Sequence, residues 1–269
     1  MFDENQQSSL SAYDVAALRM LSSGIVMLPF LFKAIKEIPK KTFTYVLLSG
    51  WLGSFFPAFL FCIAESKIDS SLAGSLNALS PLFFVITGAL FFGNKTASSK
   101  ILGIVIGLIG SALLTYANYN KPFSYIAYSG FVIIATFLYG FNVNMVQKKL
   151  SGVSSTSIAA VAFTGLIIPS LIVLFVTDFF KTDFSQHKFV VSTISASILG
   201  VIGTAFASVL FYMLVKRAGG LFASMVTYGI PFVAIFWGLY FKEQITILHI
   251  VSLAIILIGV YLTNKSSSK

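Results

Sequence analysis

Charge is what this sequence has least of. Only 10% of its 269 residues are charged, against 57% hydrophobic, and mean hydropathy is +0.91. Soluble domains carry roughly 25% charged residues. The 18 basic and 9 acidic side chains are too few to cover a water-soluble surface for this length, so lipid is the expected solvent for most of the exterior. Cysteine is nearly absent too. The single Cys62 excludes an internal disulfide framework and a thiolate metal cluster. The 2 histidines, His187 in a loop and His249 one turn into the last apolar run, are too few for most catalytic metal sites. No metal and no cofactor is expected. The chain has no His-Glu-x-x-His, no paired intramembrane aspartates, no Ser-His nucleophile pair and no Gly-Lys-Ser/Thr phosphate loop, so it does not read as an enzyme. The start is polar and acidic (Asp3, Glu4), which is not the basic opening of a cleavable leader. The net charge of +9 does not imply nucleic acid, because the basic residues are scattered over short loops instead of one patch with aromatics.

What is abundant is apolar length. Nine runs stand out, at about 14–35, 42–64, 69–92, 99–117, 124–147, 154–177, 189–214, 219–241 and 245–263. Each is near the roughly 20 residues that cross about 30 Å of hydrocarbon as a helix. The alternating segments of about 10 residues that mark a membrane barrel are missing. The prediction is an all-α polytopic membrane helix bundle with nine spans, short connections and no linker.

Lysine and arginine orient it. With alternating spans, Lys33, Lys36, Lys40, Lys41, Lys95, Lys100, Lys148, Lys149, Lys216, Arg217, Lys265 and Lys269 share one side. The other side receives Lys67, Lys121, Lys181, Lys188 and Lys242 with most of the acids. Basic loop residues gather on the cytoplasmic side. The C-terminus is therefore expected in the cytoplasm and the N-terminus outside.

The chain also repeats itself. Residues 50–91 and 200–241 align without a gap at an offset of 150. Gly50 matches Gly200, Gly53 matches Gly203, Phe61 matches Phe211, Ala73 matches Ala223, Pro81 matches Pro231, Gly88 matches Gly238 and Phe91 matches Phe241. The halves are read as 1–120 and 121–269. Spans 42–64, 69–92 and 99–117 pair with 189–214, 219–241 and 245–263, and 14–35 pairs with 154–177. Span 124–147 is left alone, so the plan reads as four plus five of a five-plus-five bundle without its first helix. An odd number of spans per half makes the repeats inverted, which suits alternating access. An upstream start that supplies the absent helix is one expectation, and an open groove where it would sit, beside spans 42–64 and 69–92, is another.

Several short motifs resemble the EamA family of the drug/metabolite transporter superfamily. Tyr139-Gly140-Phe141-Asn142 is similar to the aromatic-Gly-x-Asn stretch that opens each half in that family. Ala17-Leu18-Arg19 matches its Ala-Leu-Arg motif. Pro81 with Phe92-Gly93, and Pro231 with Glu243, match the mid-span proline and the turn that ends the fourth helix of each half. Gly103 with Ile109-Gly110, and Ser252 with Ile258-Gly259, resemble the fifth helix. The match runs from about residue 12 to the end. Asn94 departs from it, standing where the family usually has Glu. The resemblance implies a ten-helix secondary carrier, an exporter of small organic metabolites such as amino acids, nucleobases or drugs across the cytoplasmic membrane. Two other readings stay open: a lipid or lipid-linked-sugar translocator of the same superfamily, and a non-transporting membrane protein. The partners implied are a small-molecule substrate and the lipid bilayer, with no nucleic acid.

The residues add a candidate site. Proline removes an N–H and frees the carbonyl four residues back. Pro81 and Pro231 would free those of Asn77 and Thr227, which are equivalent in the repeats. Asn77, Ser80, Thr227 and Tyr228 therefore form two polar spots at mid-membrane depth. Tyr139 and Asn142 add a polar stripe one turn long. Phe61 and Phe211 are candidates for apolar walls. All eight are expected around one substrate cavity. The competing reading makes the polar six helix–helix glue. Gly103, Gly107 and Ser111 have small-xxx-small spacing, expected to pack helices within the monomer, with a homodimer left open. Arg19 is expected to snorkel to the interface, with a substrate carboxylate as the lesser alternative. Glu65 is read as an interfacial residue near Lys67, and His249 as packed or interfacial.

Overall fold

The computed structural model describes residues 10–94, 98–116, 123–243 and 245–265. Among these there is no strand. The helices are α1 (Ala12–Glu37), α2 (Lys40–Glu65), α3 (Ser70–Asn77), α4 (Ser80–Phe92), α5 (Ser98–Tyr116), α6 (Phe123–Lys149), α7 (Ser155–Val176), α8 (His187–Ala218), α9 (Gly220–Met225), α10 (Gly229–Tyr240) and α11 (Ile247–Lys265). Six stretches are long and apolar enough to cross a bilayer, counting Gly220–Tyr240 as one, and α3 with α4, bent by 41°, makes a seventh. The apolar parts of α5 and α11, Leu102–Leu114 and Ile247–Leu262, are shorter. The all-α polytopic class therefore holds, while the count of nine spans stays an expectation.

The helices sort into two units that cut across the sequence halves. One takes Met1–Cys62 and Met145–Arg217, the other Ile63–Asn144 and Ala218–Lys269. Each unit thus draws equivalent segments from both halves.

In the first unit, α1 lies against α7 and α8. Ser11 and Asp14 form a capping box that starts α1, and Asp14 also accepts from the Thr177 hydroxyl. Such a box satisfies N–H groups that a helix start leaves unpaired. Two π-helical turns interrupt this unit, Trp51–Phe55 in α2 and Leu199–Phe206 in α8. They overlap at the repeat offset. Glycine opens each one onto a neighbour's backbone: a Cβ on Gly50 would sit 2.7 Å from the Ala162 carbonyl oxygen, and on Gly200 2.5 Å from that of Arg19. Widened turns free carbonyls, and Ser23 uses one by donating to Gly200 O at 2.8 Å.

In the second unit, α5 packs on α11, α3 on α10, and α4 on α9. α5 and α11 are counterparts in the two halves, and the other two pairings are reciprocal, since α9 is the counterpart of α3 and α10 that of α4. The small-residue stripe does what the monomer reading expects: Gly259 of α11 meets the backbone of Gly103 and Gly107 in α5.

Candidate functional site

The breaks around the two prolines dominate the second unit. Pro81 lies in the first turn of α4, where its missing N–H costs nothing extra. Ser80 Oγ donates to Asn77 O at 2.7 Å and sits 3.1 Å from Asn77 Oδ1. The polar pair therefore stitches the break, and both residues are buried, at 7% and 3% exposure. In the second half, the turn Val226–Tyr228 separates α9 from α10, and buried Pro231 opens α10. Thr227 is half-buried and its hydroxyl donates to Ser224 O at 2.7 Å. Thr227 thus bonds within its own segment. The side chain of Tyr228 lies outside the described residues.

Helix α6 brings the next group. Gly140 allows it to touch α4, since a Cβ there would lie 2.5 Å from the Phe83 carbonyl carbon. One turn on, Asn144 fastens the contact. Its amide lies within hydrogen-bond distance of Phe84 O at 2.7 Å, Thr87 Oγ1 at 3.1 Å and Gly140 O at 3.0 Å, and its oxygen accepts from Asn94 at 3.2 Å. The sequence reading singled out Asn142 and passed over Asn144. The signal was present in the Gly140/Asn144 spacing, a small residue for close approach followed by an amide one turn later. Asn142 is buried at 4% exposure, and its Oδ1 accepts no hydrogen bond among the described residues. Tyr139 beside it is half-buried.

A second polar knot closes the other half. Glu243 accepts from Ser70 N at 2.9 Å and from Ser71 N at 3.1 Å, so its carboxylate caps the start of α3. Asp69, at the cap position, accepts from the Tyr125 hydroxyl at 2.7 Å. Asn94 and Glu243 are structural equivalents, since their N–H groups donate to Gly88 O and Gly238 O. Each of those glycines leaves room for a polar side chain. A Cβ would meet Asn94 Nδ2 at 2.6 Å in one half and Glu243 Oε2 at 2.6 Å in the other. His249 packs at the start of α11, with Nδ1 2.7 Å from Thr246 Oγ1.

Arg19 is in the first unit. It is half-buried, with Nη2 3.4 Å from Thr204 Oγ1 in the π-helical turn of α8 and Nη1 4.0 Å from Cys62 Sγ. Its Nε is buried without an acceptor, and no carboxylate pairs with it among the described residues. Thr204 anchors it, and nothing in the apolar pattern around Thr204 marked that partner. Phe61 and Phe211, both half-buried, sit on α2 and α8 of this same unit. Of the eight expected site residues, contacts among the described residues join Asn77 to Ser80.

Comparison with known proteins agrees with this architecture. The chain is 24% identical over 255 residues to an uncharacterized transporter of Archaeoglobus fulgidus, covering 94% of this chain and 88% of that protein. It is also 24% identical over 201 residues to the uncharacterized transporter YdfC of Bacillus subtilis, covering 61% of this chain and 65% of that one. One solved crystal structure, described only as a protein, shares the fold with a TM-score of 0.65 at 14% identity, over 97% of this chain and 90% of that one. The model of the EamA-like transporter family matches residues 2–116 and 127–265, so the chain belongs to the EamA-like transporter family.

Proposed function

We propose that this multi-pass membrane transporter is a secondary carrier that exports small organic metabolites across the cytoplasmic membrane by alternating access, with its C-terminus in the cytoplasm. One observation carries the reading: matching interruptions in both halves. The proline breaks at Asn77–Ser80 and at Val226–Tyr228 lie in equivalent helices, as do the π-helical turns at Trp51–Phe55 and Leu199–Phe206. Inverted-repeat carriers build their site from discontinuous helices and switch by moving one repeat against the other. Paired interruptions give such a bundle hinges at equivalent places.

Asn77, Ser80, Tyr139, Asn142, Thr227 and Tyr228, with Phe61 and Phe211 as apolar walls, remain the proposed substrate contacts, and Asn142 supports this best through its buried, unused acceptor. Arg19 adds a substrate class. An intramembrane charge that lacks a protein counter-charge is a functional-site candidate by default, and a guanidinium matches a carboxylate. Carboxylate-bearing metabolites such as amino acids are therefore favoured over nucleobases. The test is counterflow in proteoliposomes with an amino-acid panel. Arg19→Gln should lose about tenfold or more of carboxylate substrate transport, a charge-assisted hydrogen bond's worth, while thermal stability stays near wild type. Unchanged transport by Arg19→Gln would remove Arg19 from the site.

A further inference from the structure

Helices α1 and α11 both start with a side chain that reaches back to the cap residue, and the two acceptors differ in kind. In α1, Asp14 Oδ2 accepts from Ser11 N at 3.1 Å while Ser11 Oγ accepts from Asp14 N at 3.1 Å. In α11 the residue at the same position, three after the cap, is His249. Its Nδ1 accepts from Thr246 N at 3.2 Å and lies 2.7 Å from Thr246 Oγ1. Thr246 O in turn accepts from His249 N at 3.0 Å. The usual residue for this reach is Glu or Gln, whose side-chain oxygen accepts at neutral pH. An imidazole nitrogen accepts only while it carries no proton.

The main-chain N–H fixes the state of the ring. A hydroxyl can turn to give or to take, but Thr246 N–H can only donate, so Nδ1 is bare and the ring proton sits on Nε2. A proton arriving at Nδ1 would point at that N–H. The Thr246 hydroxyl can turn to accept it, while the N–H loses its acceptor. His249 is buried, at 8% exposure, so the ring is held where the proton would meet the backbone.

The charged and titratable groups around it come from other elements of the same unit. Asp69, at the cap position of α3, is the acid whose charge reaches the ring among the described residues. Asp69 accepts from the Tyr125 hydroxyl of α6 at 2.7 Å. Glu243, on the turn from α10 to α11, holds Ser70 N and Ser71 N. On α5, which runs antiparallel to α11, Tyr116 stands at the matching end and is exposed. Glu65, Lys67 and Lys242 are exposed on the adjoining links.

We propose that His249 is a proton-operated cap of α11: neutral, it holds the first turn of the helix through Thr246, and protonated, it releases the Thr246 N–H and turns its charge to Asp69. With the C-terminus in the cytoplasm, as proposed above, this end of α11 meets the outside, so the cap reads external acid. Histidine changes charge between about pH 5 and about pH 8. The cap needs the neutral ring, so it is complete at the alkaline end of that range and is lost as pH falls. The release stays local. Glu243 keeps its own bond to Gly238 O at 2.8 Å, and with it the cap on α3.

The test uses the full chain in nanodiscs and reads hydrogen exchange as protection factors at about pH 8 and about pH 5, which removes the intrinsic pH dependence of exchange. Thr246 N–H should lose protection about fivefold at the acid end, the worth of one cap, while Ser70 and Ser71 keep theirs. His249→Gln makes the start of α11 Thr-x-x-Gln, whose amide oxygen accepts at both ends of the range, so Thr246 should stay protected throughout. Nitrogen NMR of the His187→Gln chain, which leaves His249 as its single histidine, should show a bare Nδ1 at the alkaline end and protons on both ring nitrogens at the acid end. Equal loss at Thr246 in wild type and in His249→Gln would mean that acid acts elsewhere. Equal loss at Ser70 and Ser71 would mean that the whole end of the unit loosens. A proton on Nδ1 at the alkaline end would remove the cap itself. Each of these results overturns the proposal.

Discussion

At the residue scale, Asn144 and Asn77 separate a structural contact from a proposed substrate contact. Asn144 is 1% exposed and satisfied on every side. Asn144→Leu should therefore cost stability, about 1–3 kcal/mol given roughly 0.6 kcal/mol for an average membrane hydrogen bond and the penalty for partners left unpaired. A thermal shift in detergent, combined with an Asn94→Ala double-mutant cycle, measures it, and additive single effects would dissolve the Asn94–Asn144 coupling. Asn77 loses only its bond from Ser80 on mutation, because Ser80 still reaches the Asn77 carbonyl. Asn77→Ala should then leave stability within about 1 kcal/mol of wild type and shift substrate preference in a transport panel. A large stability loss with unchanged preference would make Asn77 helix glue.

At the element scale, the two halves end their bent helices with different chemistry. Gly93 and Lys242 both turn the chain with positive φ, 63° and 59°. The residue that follows is a neutral amide in one half and a carboxylate in the other. Only the carboxylate reaches a helix start, where the dipole and the unpaired N–H groups favour negative charge. Glu243→Ala should loosen the first turn of α3 by about 1 kcal/mol, read as faster hydrogen exchange at Ser70 and Ser71. Glu243→Gln should keep part of the protection. Equal exchange in all three proteins would show that Asp69 and Tyr125 hold that turn without Glu243. The interfaces built by glycine make their own prediction. Gly200→Ala forces a Cβ to 2.5 Å from the Arg19 carbonyl and should destabilise by about 1–3 kcal/mol, as overpacking does.

At the scale of the whole molecule, the sequence spoke most clearly where lipid dictates composition. Apolar runs of bilayer length, the offset of 150 and the proline pair together announced an all-α bundle built twice. Helix class follows from hydropathy because lipid leaves the backbone no other partner. The grouping of helices into units was not legible, since periodicity within one helix does not say which other helix its small residues meet; Gly259 could have faced any neighbour. The site was partly legible. Pro81 stands at the break where Ser80 donates to the Asn77 carbonyl, and the Thr227 hydroxyl donates to Ser224, local bonds that a proline position does not reveal. The contact of Arg19 with the Thr204 hydroxyl, 185 positions away, was not legible either, because apolar periodicity does not mark a partner on another helix. Orientation rests on loop charge alone. Single cysteines at Ser8 and Ser267 in a Cys62→Ser background should label from opposite sides of the membrane, and labelling of both from one side would require an even number of spans.

The central claim is that the chain carries a metabolite through a bundle hinged at equivalent breaks. Flux in proteoliposomes tests it most directly. Purified chain should move at least one carboxylate-bearing metabolite with saturable kinetics above empty liposomes. The same chain loosened at both breaks by Ser80→Ala with Thr227→Ala, or clamped by a disulfide across α4 and α9, should bind the substrate with its turnover altered. Flux equal to empty liposomes across the whole panel, from protein shown to be folded, would contradict the account.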